Sequence, residues 1–139
     1  MTPEARMEAL ASACGDTLEQ LADQILACAG VAVAVIAGPE SVSAPVRVPV
    51  PGPGDTTVVL GHVALTRCTV ELGGVRGDGV RAGYDPTGAV AAAICDAEAA
   101  RQGSLAGRVD ELYRKSRQDK AARDRERANT VAMTRMEQP

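Results

Sequence analysis

The residues of this chain that could carry out chemistry are one histidine, four cysteines and a few arginines. His62 is the only histidine, and no acidic residue or cysteine stands near it at the spacing of a catalytic pair, so catalysis by His62 is not expected. Cys14, Cys28, Cys68 and Cys95 lie far apart without a C-x-x-C pair, which argues against a zinc site. We interpret them as buried free thiols and predict neither a catalytic set nor a bound metal.

Arg67 stands where the segment VVLGHVALTRCTVEL (residues 58–72) changes its apolar pattern. Val63 and Leu65 are apolar at odd positions before it, whereas the apolar residues after it, Cys68, Val70 and Leu72, are at even positions. Two interpretations remain open. A β-bulge near these two residues would shift the pleat by one position and could direct Arg67 toward an anion or a carboxylate. Alternatively, the sheet is covered partly on both faces and Arg67 lies on the surface.

The glycine-rich segment GGVRGDGVRAG (residues 73–83) carries Arg76 and Arg81. A phosphate-binding loop places backbone N–H groups at a helix N-terminus, usually with a G-K-[ST] sequence. Here the glycines precede a strand pattern, so a hairpin turn is favoured. The next helix begins after Asp85, whose negative charge would repel a phosphate. Arg67 and Arg81 remain the two candidates for contact with an anionic substrate.

Apolar spacing, caps and turns predict the elements that position these residues. Helical patterns cover residues 4–13, 16–29, 86–102 and a segment from 104, while strand patterns cover 31–37, 46–50, 56–72 and 75–85. The second strand pattern is proline-rich and is interpreted as an edge strand followed by a loop. The predicted class is α+β, with N-terminal helices, a small mainly antiparallel sheet with a long central strand, and C-terminal helices ending in an extended arm.

Composition and charge divide the chain into two predicted parts, a compact α+β domain over 1–113 and a polar arm over 114–139. The chain has no Phe, no Trp and two Tyr, which implies a thin core of small side chains and either an obligate partner or a GC-rich genome. Residues 1–100 contain 5 Lys and Arg against 12 Asp and Glu, whereas residues 101–139 contain 10 against 6. An acidic body therefore carries a basic arm.

The arm is more typical of a solvated, ion-paired helix than of a nucleic-acid site. Acidic residues are interspersed in it, and Tyr113 is the only aromatic side chain nearby that could stack on a base. Val131, Met133 and Met136 restore apolar character at its end and are predicted to dock on another surface. The run from Ile25 to Ala37 is too short to span a bilayer, and no secretory signal is recognised, so a cytoplasmic location without membrane attachment is expected.

Several segments together resemble the G subunit of the bacterial carbon–phosphorus lyase system. LGHVALTRCTVEL (60–72) is similar to the family's L-G-acidic-x-x-x-T-R-x-x-V-x-L segment, and GYDPTGAVAAAICDA (83–97) is similar to its G-x-D helix entry followed by D-A. VAMTRM (131–136) resembles its V-x-aromatic-x-x-M ending, and RMEALASA resembles its opening helix. His62 and Met133 depart from the family pattern, which has an acidic and an aromatic residue there. The positions that carry the motifs are Gly61, Thr66, Arg67, Gly83, Asp85 and Asp96.

The resemblance implies an accessory subunit of the carbon–phosphorus lyase core complex in phosphonate catabolism. In that family the G subunit acts with H-, I- and L-type proteins to displace adenine from MgATP by a phosphonate, giving ribose 1-phosphonate 5-triphosphate. The I-type subunit is thought to carry the displacement, and the J-type subunit later cleaves the carbon–phosphorus bond. The chain itself is then expected to bind no cofactor, to pair with itself within the complex, and not to be an enzyme alone.

Two alternatives to an architectural role remain open from the sequence. Arg67 or Arg81 could touch triphosphate or phosphonate oxygens directly. The basic arm could instead make the chain a small nucleic-acid-binding adapter, which would bind RNA or DNA with a steep salt dependence.

Overall fold

The computed structural model describes residues 2–52, 54 and 56–137, with the side chains described as far as residue 130. Four helices and a three-stranded antiparallel sheet make an α+β fold, as predicted. The elements are α1 Pro3–Ala11, α2 Gly15–Cys28, β1 Val33–Pro49, β2 Thr57–Leu72, β3 Val75–Ala82, α3 Pro86–Ala100 and α4 Ala106–Glu137.

The helix starts follow local capping chemistry. The Thr2 hydroxyl accepts the Ala5 N–H, and the Asp85 carboxylate accepts the Gly88 N–H, each just before a proline that opens its helix. α2 begins at Gly15 with Cys14 as its N-cap, so Asp16 lies in the first turn rather than at the N-cap. There its negative charge is favourable to the helix dipole.

The sheet has the order β1-β2-β3, which confirms the long central strand. β1 is one strand of 17 residues, where the sequence predicted two short strands separated at Gly38–Pro39. Its register against β2 shifts between Val35 and Ala37 and again between Ala37 and Glu40, so pairing continues past the proline with extra residues in β1.

Helix α3 forms the centre of the core. It packs on one face of β2 and β3, while α1, α2 and the start of α4 pack around it. Side chains from Gly88 to Glu98 are buried except Val90, which is half-buried. A helix that is apolar nearly all round must be enclosed, and its many alanines allow close approach to its neighbours.

The β1–β2 hairpin extends beyond this layer. β3 pairs only with Leu65–Leu72, so the rest of the hairpin is a two-stranded ribbon. We call residues 40–49 and 57–65 the distal hairpin. All of its residues are exposed or half-buried, in contrast to the buried alternate positions from Thr66 to Leu72.

Helix α4 begins in the body and continues away from it. Val109, Leu112, Tyr113 and Ser116 are buried, whereas all residues from Arg117 to Thr130 are exposed. The helix does not break at the predicted boundary between 113 and 114, and the division into a domain and an arm stays a prediction. Val131, Met133 and Met136 lie where only the backbone is described, so their predicted interface role is outside the described side chains.

Candidate functional site

Three motif residues meet in one hydrogen-bonded junction where β2 and β3 pass beneath the start of α3. The Thr66 hydroxyl donates to the Gly83 carbonyl at 2.6 Å and accepts the Asp85 N–H at 3.0 Å. Gly83 has a φ of 71°, a left-handed conformation that glycine adopts without strain, and this turn leads the chain from β3 into α3. Thr66, Gly83 and Asp85 therefore fix the strand-to-helix connection.

Arg81 closes the same junction from the buried side. Its Nε donates to Asp85 at 3.1 Å, and one terminal nitrogen donates to the carbonyls of Leu10, Ala11 and Ala13 at 3.0, 3.1 and 2.7 Å. These carbonyls lie at and just beyond the C-terminal end of α1, where backbone acceptors lack helical partners. The side chain is only 12% exposed, so most of the guanidinium is engaged inside the protein.

Asp96 forms a second junction further along α3. It pairs with Arg6 of α1 at 2.6 Å and accepts the Asp78 N–H of β3 at 2.9 Å. Asp78 in turn accepts the Thr69 hydroxyl at 2.7 Å. A buried carboxylate needs a cation and hydrogen-bond donors, and Asp96 has both, which ties α1 and β3 to the central helix.

Arg67 lies on the opposite face of the sheet from Arg81. Thr66 is the cross-strand partner of Arg81, so the residue after it points away from the helices. The Arg67 side chain is 61% exposed and pairs with Glu40 on β1 at 2.8 Å. The two candidate substrate arginines are therefore separated by the sheet and do not form one anion-binding clamp.

The phase change in the sequence does not come from a bulge at Thr66–Arg67. The alternation of β2 against its partners is unbroken from Gly61 to Leu72, and the extra residues opposite Arg67 lie in β1. The register shift between Ala37 and Glu40 lies opposite Arg67, but because its extra residue is in β1 it does not move β2 from one pleat phase to the other; Arg67 lies on the surface, paired with Glu40. Val63 and Leu65 lie on the face of the ribbon that is turned away from the helices.

The distal hairpin has one apolar face and one mostly polar face. A register shift between Val46 and Arg47, with Leu60 as the extra residue in β2, sets which residues share a face beyond Gly61. The face turned away from the helices, here called the outer face, carries Val42, Ala44, Val46, Val48, Val58, Gly61, Val63 and Leu65. The inner face carries Ser41, Ser43, Pro45, Arg47, Pro49, Thr57, Val59, His62 and Ala64.

Two of the four cysteines are buried and two are exposed, which corrects the expectation that all would be buried. All four are free thiols. Burial, with smaller effects from the charges of Asp96 and Glu98, raises the pKa of Cys95 to about 12, and burial also raises the pKa of Cys68. At the N-cap of α2, hydrogen bonds from Thr17 and the Asp16 backbone lower the pKa of the exposed Cys14 thiol.

Some structurally decisive residues were not identified from the sequence. Gly77 and Gly79 face α3 so closely that a Cβ on either would collide with the helix backbone at Ala93. The sequence signal for this close packing is a pair of glycines two residues apart, and therefore on one face of a strand, followed by an alanine-rich helix. Glu98 is fully buried with Arg101 Nε 2.8 Å away, although the two are not aligned as a hydrogen bond.

An open groove separates the α1–α2 corner from α4. It has a volume of about 520 Å³ and is lined by Cys14, Thr17, Lys115, Ser116 and Arg123 among others. Within the part of the chain that is described, no group of three or more His, Cys, Asp or Glu residues could hold a metal ion. None of the described helices is long and apolar enough to cross a bilayer.

The polar motif side chains connect elements of the chain to one another. Thr66, Asp85 and Asp96 form hydrogen bonds or an ion pair with groups of α1, α3, β3 and the turn before α3, and the exposed Arg67 pairs with Glu40. His62 is on the inner face of the distal hairpin, and residues 57–65 of β2 contain no acidic residue. What the body leaves exposed is an apolar sheet face and a charged helix.

Comparison with known proteins agrees with the resemblance seen in the sequence. The family model described as phosphonate metabolism protein PhnG matches residues 2–137, nearly the whole chain. No curated protein matches the chain.

Proposed function

This chain belongs to the phosphonate metabolism protein PhnG family, and from that premise we propose that it is an accessory, structural subunit of the carbon–phosphorus lyase core complex. Membership assigns the chain to phosphonate metabolism. The proposed role is to support the displacement of adenine from MgATP by a phosphonate, which gives ribose 1-phosphonate 5-triphosphate.

The observation that carries the proposal is how the motif side chains are used. Thr66, Asp85 and Asp96 all form hydrogen bonds or ion pairs with groups of the same chain, and Arg81 does so as well. Such residues hold elements in place rather than bind a substrate. A subunit whose polar motif residues build its own frame supports catalysis by presenting surfaces to other subunits.

The proposed partners are the I-, H- and J-type subunits of the core, with the L-type protein for activity, in the cytoplasm. Helix α4 is the surface we assign to the I-type subunit. Between Arg117 and Thr130 every side chain is exposed, and alanine is the only apolar residue type in that segment. A basic helix of this kind fits an acidic groove and contributes to recognition through charge.

The test is reconstitution with and without this chain. The chain is co-expressed with the I-type subunit, and the purified pair is combined with the H- and L-type proteins, MgATP and a phosphonate. We expect co-purification of the two chains and release of adenine that is lost when this chain is omitted. A well-folded monomer that ignores the I-type subunit, or full turnover without this chain, contradicts the proposal.

A second candidate role is direct contact between Arg67 and the triphosphate or phosphonate. The observation in its favour is exposure, because the Arg67 guanidinium reaches solvent and only an exposed Glu40 competes for it. Arg81 would have to leave three backbone carbonyls to do the same.

Substitution separates the two roles. Arg67→Ala is compared with Arg76→Ala, a matched change at another exposed arginine of the sheet that also pairs with a carboxylate. If Arg67 is a structural or interface residue, Arg67→Ala weakens assembly of the complex whereas Arg76→Ala does not, and adenine release falls only as far as assembly does. Loss of turnover on Arg67→Ala alone, with assembly intact, assigns Arg67 to substrate contact.

A further inference from the structure

The helices cover β2 and β3 more completely than they cover β1. Val33 and Val35 of β1 pair with Leu72 and Val70 of β2, so all four side chains lie on the helix side of the sheet. Val70 and Leu72 are fully buried, whereas Val33 and Val35 are 41% and 55% exposed. In the part of the chain that the structure describes, the helix side of β1 is therefore only partly covered.

A groove lies on this side of the sheet, between α2 and α3. It has a volume of about 450 Å³ and is lined by one side of α2 from Glu19 to Leu26, by α3 from Pro86 to Ile94, and by Pro39 of β1. Its lining is mostly apolar, and within it Leu26 is 42% exposed. The α2 wall is about 10 Å long, or two helical turns, because a helix rises about 1.5 Å per residue.

The open edge of β1 is a poor site for adding a strand next to this groove. Pro39 has no N–H group to donate, and the register shifts between Val35 and Glu40 put extra residues in β1. Both features interrupt the row of backbone groups that a new strand would need. A partner element is therefore expected to lie in the helix layer, beside α2 and α3, and a helix is the element that packs there.

Two carboxylates on the α2 wall indicate the charge of the partner. Glu19 is half-buried and Asp23 is exposed, and they stand four residues apart on one helix face, where like charges repel. Among the described residues, no cation pairs with either of them. The sequences of α2 and α3 contain no Lys or Arg. The groove is thus complementary to Lys or Arg beside an apolar stripe.

We propose that the α2–α3 groove binds an amphipathic helix of another protein, one that carries Lys or Arg beside its apolar stripe. Two turns of this helix fill the groove, its apolar residues cover Leu26 and the exposed valines of β1, and its cations pair with Glu19 and Asp23. The inference rests on the proposed function, because the partner is sought among the other subunits of the complex. The groove is lined by α2, α3 and β1, so it is a second surface besides the arm of α4.

Charge reversal on the α2 wall tests the proposal. Glu19→Lys places a cation four residues before Asp23, so the free chain should be no less stable in thermal unfolding. The same change should weaken binding to the partner subunits at least about tenfold, because it meets the partner's cations with a like charge. Glu111→Lys is the matched control, since it reverses an exposed carboxylate outside the groove. Unchanged binding of Glu19→Lys, or an equal effect of both changes, overturns the proposal.

Photocrosslinking from position 26 identifies the occupant of the groove. A benzophenone amino acid replaces Leu26, the complex co-purified with the I-, H- and J-type subunits is irradiated, and mass spectrometry locates the adduct. We expect an adduct to a segment of another subunit that has Lys or Arg beside apolar residues at helical spacing, and loss of this adduct with Glu19→Lys. An adduct only to a second copy of this chain or to an acidic segment, or no adduct in a complex that does form, overturns the proposal.

A chain that binds none of these subunits contradicts the proposed function instead, and a designed peptide then decides the role of the groove. The peptide is a fluorescein-labelled helix of about four turns with Leu at every third or fourth position and Lys beside them. Its control has Glu in place of Lys. Fluorescence anisotropy should show binding of the Lys peptide to the full chain, and binding at least about tenfold weaker for the Glu peptide and for the Glu19→Lys chain. No binding, or equal binding of both peptides, overturns the proposal.

Discussion

Arg67 and Arg81 show how differently two arginines of one motif region can be placed. Both were candidates for an anionic substrate, and both lie on paired strands. Arg81 faces the helices and bonds to Asp85 and to the carbonyls after α1, whereas Arg67 faces solvent with Glu40. Successive side chains of a strand point to opposite faces of the sheet, so the position of each arginine along its strand decides whether it faces the helices or solvent.

Arg81→Ala should destabilise the chain far more than Arg67→Ala. Removing the buried guanidinium leaves Asp85 without its cation and takes a donor from the carbonyls of Leu10, Ala11 and Ala13, for an expected loss of about 3 kcal/mol in the free energy of unfolding. The exposed Arg67 pair should contribute no more than about 0.5 kcal/mol. Urea unfolding of both variants measures the difference, and equal losses would contradict the internal role of Arg81.

The cysteines should react with iodoacetamide in an order set by exposure and pKa. Cys14 is exposed and its pKa is lowered, so its thiolate, the reactive form, is populated at lower pH than for an ordinary thiol. Cys95 is buried with a pKa of about 12 and should stay unmodified at pH 8 until the chain unfolds. Peptide mapping by mass spectrometry reads the order, and alkylation of Cys95 in native protein as fast as Cys14 would contradict it.

At the scale of elements, the packing of α3 on the sheet depends on the absence of side chains on β3. Gly77 and Gly79 bring the strand against the helix backbone, and the alanines of α3 permit the same approach from the other side. The thin core expected from composition is thus compensated by short distances between elements. Leu10, Leu18, Ile25, Val70 and Leu72 supply its larger buried side chains.

Gly79→Ala should displace α3, because the new Cβ would meet the backbone of Ala89 and Ala93. Backbone atoms cannot move aside as a flexible side chain can, so we expect a loss of at least about 2 kcal/mol in stability. Gly61→Ala is the matched control, since it is also a strand glycine but has open space around its Cβ position. Thermal unfolding of the two variants distinguishes them, and a neutral Gly79→Ala would refute the close approach.

For the molecule as a whole, the body and the arm are expected to have separate roles. Ser116 still belongs to the body, since its hydroxyl donates to the Ala9 carbonyl at 2.8 Å and lies 3.1 Å from that of Ser12. Beyond it, the ion pair described between α4 and the body, among side chains up to residue 130, is the exposed pair of Lys120 with Glu8 at 3.2 Å. Stability should therefore depend on the helix up to about residue 120 and partner binding on the rest.

Truncation of the chain after Lys120 tests this division. The free energy of unfolding of the shortened chain should lie within about 0.5 kcal/mol of that of the full chain, because the removed side chains that are described are exposed. The shortened chain should no longer bind the I-type subunit. Truncation after Glu111 is the contrasting control, as it also removes the buried Leu112, Tyr113 and Ser116. Retained binding after the first truncation would argue against the arm as the partner surface.

The sequence by itself determined the fold class, most element positions and the family. Proline and aspartate before α3, the double glycine after β2 and the helical spacing in α2 are local signals, and local signals can be read without knowing what lies across the fold. It also marked the change of apolar phase at Thr66–Arg67. Only the tertiary structure decided its meaning, because the covering of a face depends on where helices from distant parts of the chain come to lie. The helices cover β2 from Thr66 onward and leave the outer face before it free, so one strand carries two apolar patterns, one for its own core and one facing outward.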